Sequence, residues 1–274
     1  VNTAVEVKNL SFKYGDTVIF EDIDLSLKRG EMLCILGPNG CGKTTLLDTV
    51  LGYHRPYRGS INIDGREIRS YRRAELARKI AYVPQIHEKS FPFRVLEIVV
   101  MGRTPHLPAM SPPSGRDYEI AHRALDVIGI SHLSDRIYTT LSGGETQLVI
   151  LARALAQDAP VIIMDEPASH LDFRHEFVLL QLVARLIMEK DLSVIMSTHS
   201  PNHAFYLENA GIPVRIALMN DKRIMAEGSP GKTISRENIM RLYTIDSRVF
   251  SNTIGGSRLN YIVPLNGAAT GRKL

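Results

Sequence analysis

The chain has 274 residues, 44% hydrophobic and 23% charged, with a formal net charge of +4 at neutral pH. That composition belongs to an ordinary globular protein of one large domain or one domain with subdomains, and excludes disordered, collagenous and disulfide-rich classes. The longest unbroken apolar runs, such as Val161 to Met164, fall far short of the ~20 residues that cross a bilayer, so no membrane segment is expected. No charged-then-apolar leader is read at the N-terminus, and Cys34 and Cys41 offer no disulfide framework and suit a reducing compartment.

The first thirty residues alternate in short apolar steps, Val5 and Val7, then Ile23, Leu25 and Leu27, as half-buried strands do. MLCIL (32–36) is a continuous apolar run suited to a strand covered on both faces, and the helix KTTLLDTVL follows after a Gly-rich turn. SINIDG (60–65) alternates again and closes on Asp64-Gly65, a hairpin turn, which completes a small antiparallel sheet. KIAYVP (79–84), PVIIMD (160–165) and LSVIMST (192–198) read as parallel-type strands. FRHEFVLLQLVARLIMEK reads as a helix with Phe177, Leu180, Ala184 and Ile187 on one face. Strand–helix alternation of this kind predicts an α/β fold with a mainly parallel sheet.

Between 86 and 141 the texture changes. VLEIVVMGR and RDYEIAHRALDVIGI are helical and are joined by the Pro-rich link TPHLPAMSPPSG, which reads as a helical subdomain inserted in one 1–274 unit. After Ile216 come a hairpin around Asn220-Asp221, a helix near ISRENIMRLY and a strand pair around IGG, a C-terminal hairpin and helix segment over 216–274.

GPNGCGKT, Gly37 to Thr44, satisfies G-x-x-x-x-G-K-[ST] between an apolar strand and a helix. Glycines let backbone N–H groups curl around phosphate oxygens, and the helix N-terminus adds its positive dipole end. Lys43 reaches the β- and γ-phosphates in such a loop, and Thr44 supplies a hydroxyl to Mg²⁺. The anion-binding N–H groups and Lys43 are expected to favour a thiolate at Cys41. A second Gly-Lys-Thr, in GSPGKT (228–233), has Ala226 where the first glycine belongs and no apolar strand feeding it; it reads as a surface turn.

VIIMDEP ends a buried strand on Asp165, at the carboxyl edge where α/β sheets bind ligands. Asp165 is placed to hold Mg²⁺ and Glu166 to polarise the attacking water. Gln85, after AYVP, and His199, in STHS, close two further strands at the same edge. Gln85 is expected to sense Mg²⁺ or the water, and His199 to hydrogen-bond the γ-phosphate for in-line attack. LSGGE (141–145) opens the helix running through QLVILARAL, an N–H-rich start with no lysine of its own.

GPNGCGKT, Gln85, LSGGE, VIIMDEP, SHLD and His199, in this order, resemble the nucleotide-binding subunit of ATP-binding cassette transporters, over nearly the whole chain. The resemblance implies a P-loop NTPase fold with a RecA-like core, an antiparallel β subdomain and a helical subdomain. It implies an ATPase using ATP and Mg²⁺, with Tyr14 stacking on adenine and Asp172 in the loop between the two sites of a homodimer. The ATP-binding set it carries over is Tyr14, Gly37, Pro38, Asn39, Gly40, Cys41, Gly42, Lys43, Thr44 and Thr45, completed from the partner by Ser142, Gly143, Gly144 and Glu145. Thr44, Gln85 and Asp165 are its metal set, and Lys43, Gln85, Glu166 and His199 its catalytic set.

VVMGRTPHL (99–107), SPNHA (200–204) and RLYTIDSRVF resemble the branch of bacterial and archaeal importers for iron-siderophore, haem, cobalamin and molybdate. That implies two copies of a separate polytopic permease, an extracytoplasmic binding protein reached through it, and a place on the cytoplasmic face of the membrane. A metal chelate such as iron-siderophore or haem is the expected cargo, with molybdate, tungstate or cobalamin as the alternative. Val95 to Arg103 is expected to dock the permease, or else to be subdomain core. A soluble cassette acting on ribosomes or DNA would carry a second cassette or a long coiled coil; neither is read here, and no nucleic acid partner is expected.

Glu145 stands where most cassettes have glutamine. A carboxylate aimed at a triphosphate is penalised by about 4 kcal/mol per charge pair at 4 Å and an effective dielectric of 20. Glu145 is therefore expected to turn away, towards ribose hydroxyls or the dimer surface.

Overall fold

The structure is a computed structural model that describes residues 3–85, 91–108, 110–255 and 257–265. Strands β1 (Thr3–Tyr14) and β2 (Thr17–Lys28) pair antiparallel across a two-residue turn. β3 (Met32–Leu36) is buried at every residue and leads into α1 (Lys43–Val50). β4 (Arg58–Ile63) joins the free edge of β1, and β5 (Arg66–Glu67) returns along it. The turn between them is Asp64-Gly65, with φ values of 51° and 78°, the left-handed pair that Asp-Gly supplies most readily. These four strands, in the order β2-β1-β4-β5, are the antiparallel sheet foreseen from the alternation.

Short α2 (Arg73–Ala77) precedes β6 (Ile80–Val83). Next come α3 (Val95–Val100), α4 (Gly115–Ile128) and α5 (Gly143–Ala156). β7 (Val161–Met164), α6 (Phe173–Lys190), β8 (Ser193–Thr198) and α7 (Pro201–Asn209) alternate as the sequence reads. β9 (Val214–Asn220) and β10 (Arg223–Gly228) form a hairpin, followed by α8 (Pro230–Thr233) and α9 (Arg236–Tyr243). β11 (Ser247–Ile254) and β12 (Ser257–Pro264) close the described chain.

The central sheet has the order β10-β9-β3-β8-β7-β6, parallel except for the edge strand β10. Both faces are covered, which explains why its strands are unbroken apolar runs. Met32, Cys34 and Leu36 face the helices α5, α6 and α7, while Leu33 and Ile35 face α1 and the antiparallel sheet. The alternation of a single strand thus divides the molecule into two hydrophobic cores.

Three readings of the sequence need correction. The C-terminal segment does not begin at 216, because β9 starts at Val214 and lies inside the central sheet against β3. Its hairpin turns on Asp221 and Lys222, with Asn220 paired to Arg223. GSPGKT is not a surface turn. The edge strand β10 runs into it, and it forms one helical turn whose Pro230 and Thr233 are buried. The Pro-rich link is also partly ordered: Met101–His106 continues α3 as a 3₁₀ helix.

Within 86–141, residues 86–90 lie outside the described residues. α3 and α4 pack on α5, so the inserted subdomain shares its core with the helix that follows it. Of Val95–Arg103, Val95, Ile98, Val99 and Val100 are buried core, and Arg103 is buried with Nε 3.1 Å from Asp117 Oδ1. Within that segment Glu97 and Met101 are the exposed residues.

Candidate active site

The phosphate-type loop spans the gap between β3 and α1, at the carboxyl edge of the central sheet. Gly42 caps α1 at φ 103°, a conformation that an L side chain rarely adopts. It turns the chain so that the first turn of α1, with its unshared N–H groups, opens on the loop. Lys43 is 5% exposed; its Nζ donates to the carbonyls of Gly37 at 2.9 Å and Pro38 at 3.1 Å. Thr44 is exposed and Thr45 half-buried.

Cys41 does not behave as the sequence led us to expect. Burial pushes its thiol above the ordinary cysteine range, and the nearby Lys43 only partly opposes that. A raised thiol pKa means less thiolate at neutral pH, not more. Alkylation of Cys41 by iodoacetamide should therefore be slow at pH 7.5 and keep rising beyond the pH where an ordinary thiol levels off. Mass spectrometry of a pH series checks this; a plateau below that range would contradict it.

At the end of β7, Asp165 is 1% exposed and accepts from the Ser197 hydroxyl at 2.5 Å. The same Ser197 oxygen accepts the N–H of Glu166 at 2.8 Å. Glu166 sits at φ 42°, left-handed for a non-glycine residue, a strain of about 1–3 kcal/mol that surrounding contacts must hold. The strain turns its carboxylate into the cleft. Glu166 Oε1 lies 3.1 Å from Lys43 Nζ, while Oε2 accepts from Gln85 Nε2 at 3.3 Å and lies 3.7 Å from His199 Nδ1.

Lys43, Gln85 and His199, which follow β3, β6 and β8, thus converge on the Glu166 carboxylate, which follows β7. Ser197 was missed. Its only signal was a polar residue directly after the apolar run Val194–Met196, one step before Thr198.

Tyr14 stands at the end of β1, half exposed, with its hydroxyl 2.8 Å from His54 Nε2. Phe12 packs edge-on against Tyr14 at 4.8 Å and stacks on His54 at 5.1 Å. His54 Nε2 is also 3.8 Å from Asp48 on α1, so the aromatic shelf of the antiparallel sheet is tied to the helix that carries Lys43. Nothing in the sequence singled out His54.

The LSGGE loop is built differently. Ser142 caps α5 and accepts from Glu145 N–H at 3.3 Å, while Glu145 Oε2 accepts from Ser142 N–H at 2.8 Å. Glu145 Oε1 takes Arg136 Nη1 at 2.9 Å. The acid therefore turns back onto its own chain, and the capping hydrogen bond from Ser142 holds its carboxyl below the usual range, with Arg136 assisting. Among the described residues no hydrogen bond or ion pair joins Ser142–Glu145 to Lys43, Glu166 or His199. The neighbour of Gly144 is His175, whose N–H and ring nitrogen bind Asp172 at 2.8 Å. Asp172 caps α6 and sits below its ordinary pKa because of those hydrogen bonds.

Residues 20–169 match the family described as ABC transporter. The chain belongs to that family. It is 35% identical over 244 residues to the molybdate import ATP-binding protein MolC of Haemophilus influenzae, covering 89% of each chain. It is 32% identical over 262 residues to the ferric enterobactin transport ATP-binding protein FepC of Escherichia coli K12, covering 96% of this chain and 94% of that one. A solved inward-facing metal-chelate type ABC transporter superimposes with a TM-score of 0.86 at 33% identity, over 98% of this chain and 100% of that one. The fold is that of the ABC ATPases, and the chain is an ATPase coupled to transport. Among the described residues no helix is long and apolar enough to cross a membrane.

Proposed function

We propose that this chain powers an importer of a metal chelate, as two copies on the cytoplasmic face of a membrane, each bound to a separate permease. The observation that carries the two-copy reading is the separation of two anion-facing elements within one chain. Lys43, Gln85 and His199 gather on Glu166, while Ser142–Gly144 opens elsewhere, backed by His175. A helix start of that kind serves an anion held by another subunit.

In the proposed site, Tyr14 receives adenine, and the Gly37–Thr45 loop with Lys43 receives the phosphates. Glu166 accepts the proton of the attacking water, His199 donates to the γ-phosphate, and Ser197 fixes Asp165 and Glu166 relative to each other. The donor set fits Mg²⁺, which takes one or two carboxylates together with hydroxyl, water and phosphate oxygens. Asp165 is a buried carboxylate at the strand end, Thr44 an exposed hydroxyl, and no cluster of three or more His, Cys, Asp or Glu is found among the described residues. Thr44, Asp165 and Gln85 would hold the ion, whose charge neutralises the phosphates.

Of Val95–Arg103, the part we propose to meet the permease is Met101 and Gly102, in a groove of about 630 Å³ between the core and the helical subdomain. Tyr53, Arg73, Tyr82, Met101, Pro105 and Arg153 line it. A groove walled by the core and the helical subdomain changes shape when one rotates against the other, which is how ATP-driven closure would reach the channel.

The names of the relatives support both a chelated iron cargo and molybdate, and the metal-chelate transporter favours the first. An extracytoplasmic binding protein would deliver it through the permease. Pull-down of the tagged chain from detergent-solubilised membranes should retain one polytopic protein. Met101→Glu should release it without changing ATP binding. Retention of ribosomes or DNA in its place would contradict the transport reading.

A further inference from the structure

The loop that carries His199 is anchored from behind by a buried bridge that lies outside the nucleotide-binding motifs. Thr198 Oγ1 accepts from Ser200 N–H at 3.0 Å and lies 2.8 Å from His203 Nδ1. The Glu176 carboxylate facing Nε2 can only accept, so the ring proton sits on Nε2, and in the neutral ring that burial favours, Nδ1 accepts the Thr198 hydroxyl proton. Nε2 lies 2.6 Å from Glu176 Oε1 and donates to it. His203 is 5% exposed and belongs to SPNHA, the segment that opens α7. The bridge therefore runs from both sides of His199, through Thr198 and Ser200, to the first turn of α6.

That turn has two further attachments. Asp172 caps it, and His175 lies against the LSGG loop so closely that a Cβ on Gly144 would sit 2.5 Å from the imidazole. Three side chains within five residues thus point to three addresses. Glu176 reaches the His199 loop, His175 backs the LSGG loop, and Asp172 starts the helix. A helical turn moves as a unit, so a shift of the His199 loop is passed to the backing of Gly144. On its other side the His199 carbonyl accepts from Tyr243 Oη at 3.0 Å, and one turn further along, α7 and α6 also meet through Tyr206 and Phe177, whose rings lie 5.0 Å apart.

We infer that the His203–Glu176 bridge is a positioning contact that couples the two ATP sites of the dimer, by tying the γ-phosphate-facing loop of one site to the LSGG loop that completes the other. The inference rests on the composite site proposed above. Engagement of His199 by one nucleotide would then set the position of Gly144 against the second, and ATP would bind and be hydrolysed cooperatively.

ATP titrations of hydrolysis by the full chain test it, using His203→Ala, His203→Asn, Glu176→Ala and Glu176→Gln. Asparagine keeps only the acceptor facing Thr198, whereas glutamine at 176 keeps the acceptor facing Nε2. The parent and Glu176→Gln should show a Hill coefficient approaching about 2, the number of sites. The other three should fall toward about 1, with kcat roughly ten- to a hundredfold lower, the size of loss that a small misplacement at a site causes. Affinity of the single chain for a fluorescent ATP analogue should not change. Parental cooperativity and kcat in Glu176→Ala, or equal damage from Glu176→Gln and Glu176→Ala, would overturn the coupling. Absence of an ATP-dependent dimer of the Glu166→Gln chain would instead overturn the composite site on which it rests.

Discussion

Glu166→Gln should lower ATP turnover by ~10²–10⁴-fold, the usual contribution of a positioned general base, while leaving ATP binding intact. The carboxylate sits within 3.1 Å of Lys43 and 3.3 Å of Gln85, held there by a left-handed backbone that an amide side chain does not disturb. The substitution removes the base and also removes a negative charge beside the γ-phosphate. Two unit charges at 4 Å repel by about 4 kcal/mol at an effective dielectric of 20, so the ATP-bound dimer should persist longer than in the parent. Single-turnover assays and light scattering read the two effects together. A variant that hydrolyses ATP at the parental rate would contradict the assignment of Glu166.

Ser142→Asp should be nearly as damaging, and through a different route. Aspartate caps a helix as well as serine does, so α5 should keep its start and the protein its thermal midpoint. What changes is a carboxylate facing the partner's γ-phosphate, again a repulsion of about 4 kcal/mol, or roughly a thousandfold in the closed dimer. Glu145→Gln supplies the contrast. Glutamine can still accept the Ser142 N–H, and only the exposed pairing with Arg136 is lost, worth about 0.2–1 kcal/mol. Activity within a few-fold of the parent is expected from Glu145→Gln. Comparable loss from both variants would mean that Glu145, and not the loop N–H groups, meets the nucleotide.

The strands that carry this chemistry were legible because chemistry and burial coincide in them. VIIM and SVIMST are short, largely apolar and bounded, and each is followed by a polar residue, Asp165 or His199, at the same sheet edge. β9 was half hidden. Its run is broken by Arg215, which stays inside the structure by pairing with Glu31 at 2.5 Å and Glu227 at 2.5 Å. No apolar pattern announces a strand held in that way. GSPGKT misled for the opposite reason, since Gly, Ser and Pro mark turns locally, while the burial of Pro230 and Thr233 is decided by tertiary contacts. Motif residues were found because their types and spacing are demanded by phosphate chemistry. Ser197, His54, His175 and the His203–Glu176 pair hold those residues in place, and holding can be done by many residue types at many separations, so no spacing reveals it.

In the proposed dimer each ATP is held between the Lys43 loop of one chain and the LSGG loop of the other. Mixing Lys43→Ala chains with Ser142→Asp chains tests it most directly. In a mixed dimer one composite site carries both defects and the other carries neither. Mixed samples should therefore hydrolyse ATP well above the sum of the two variants measured apart. A rate equal to that sum would show that each chain completes its own site, and would contradict the account.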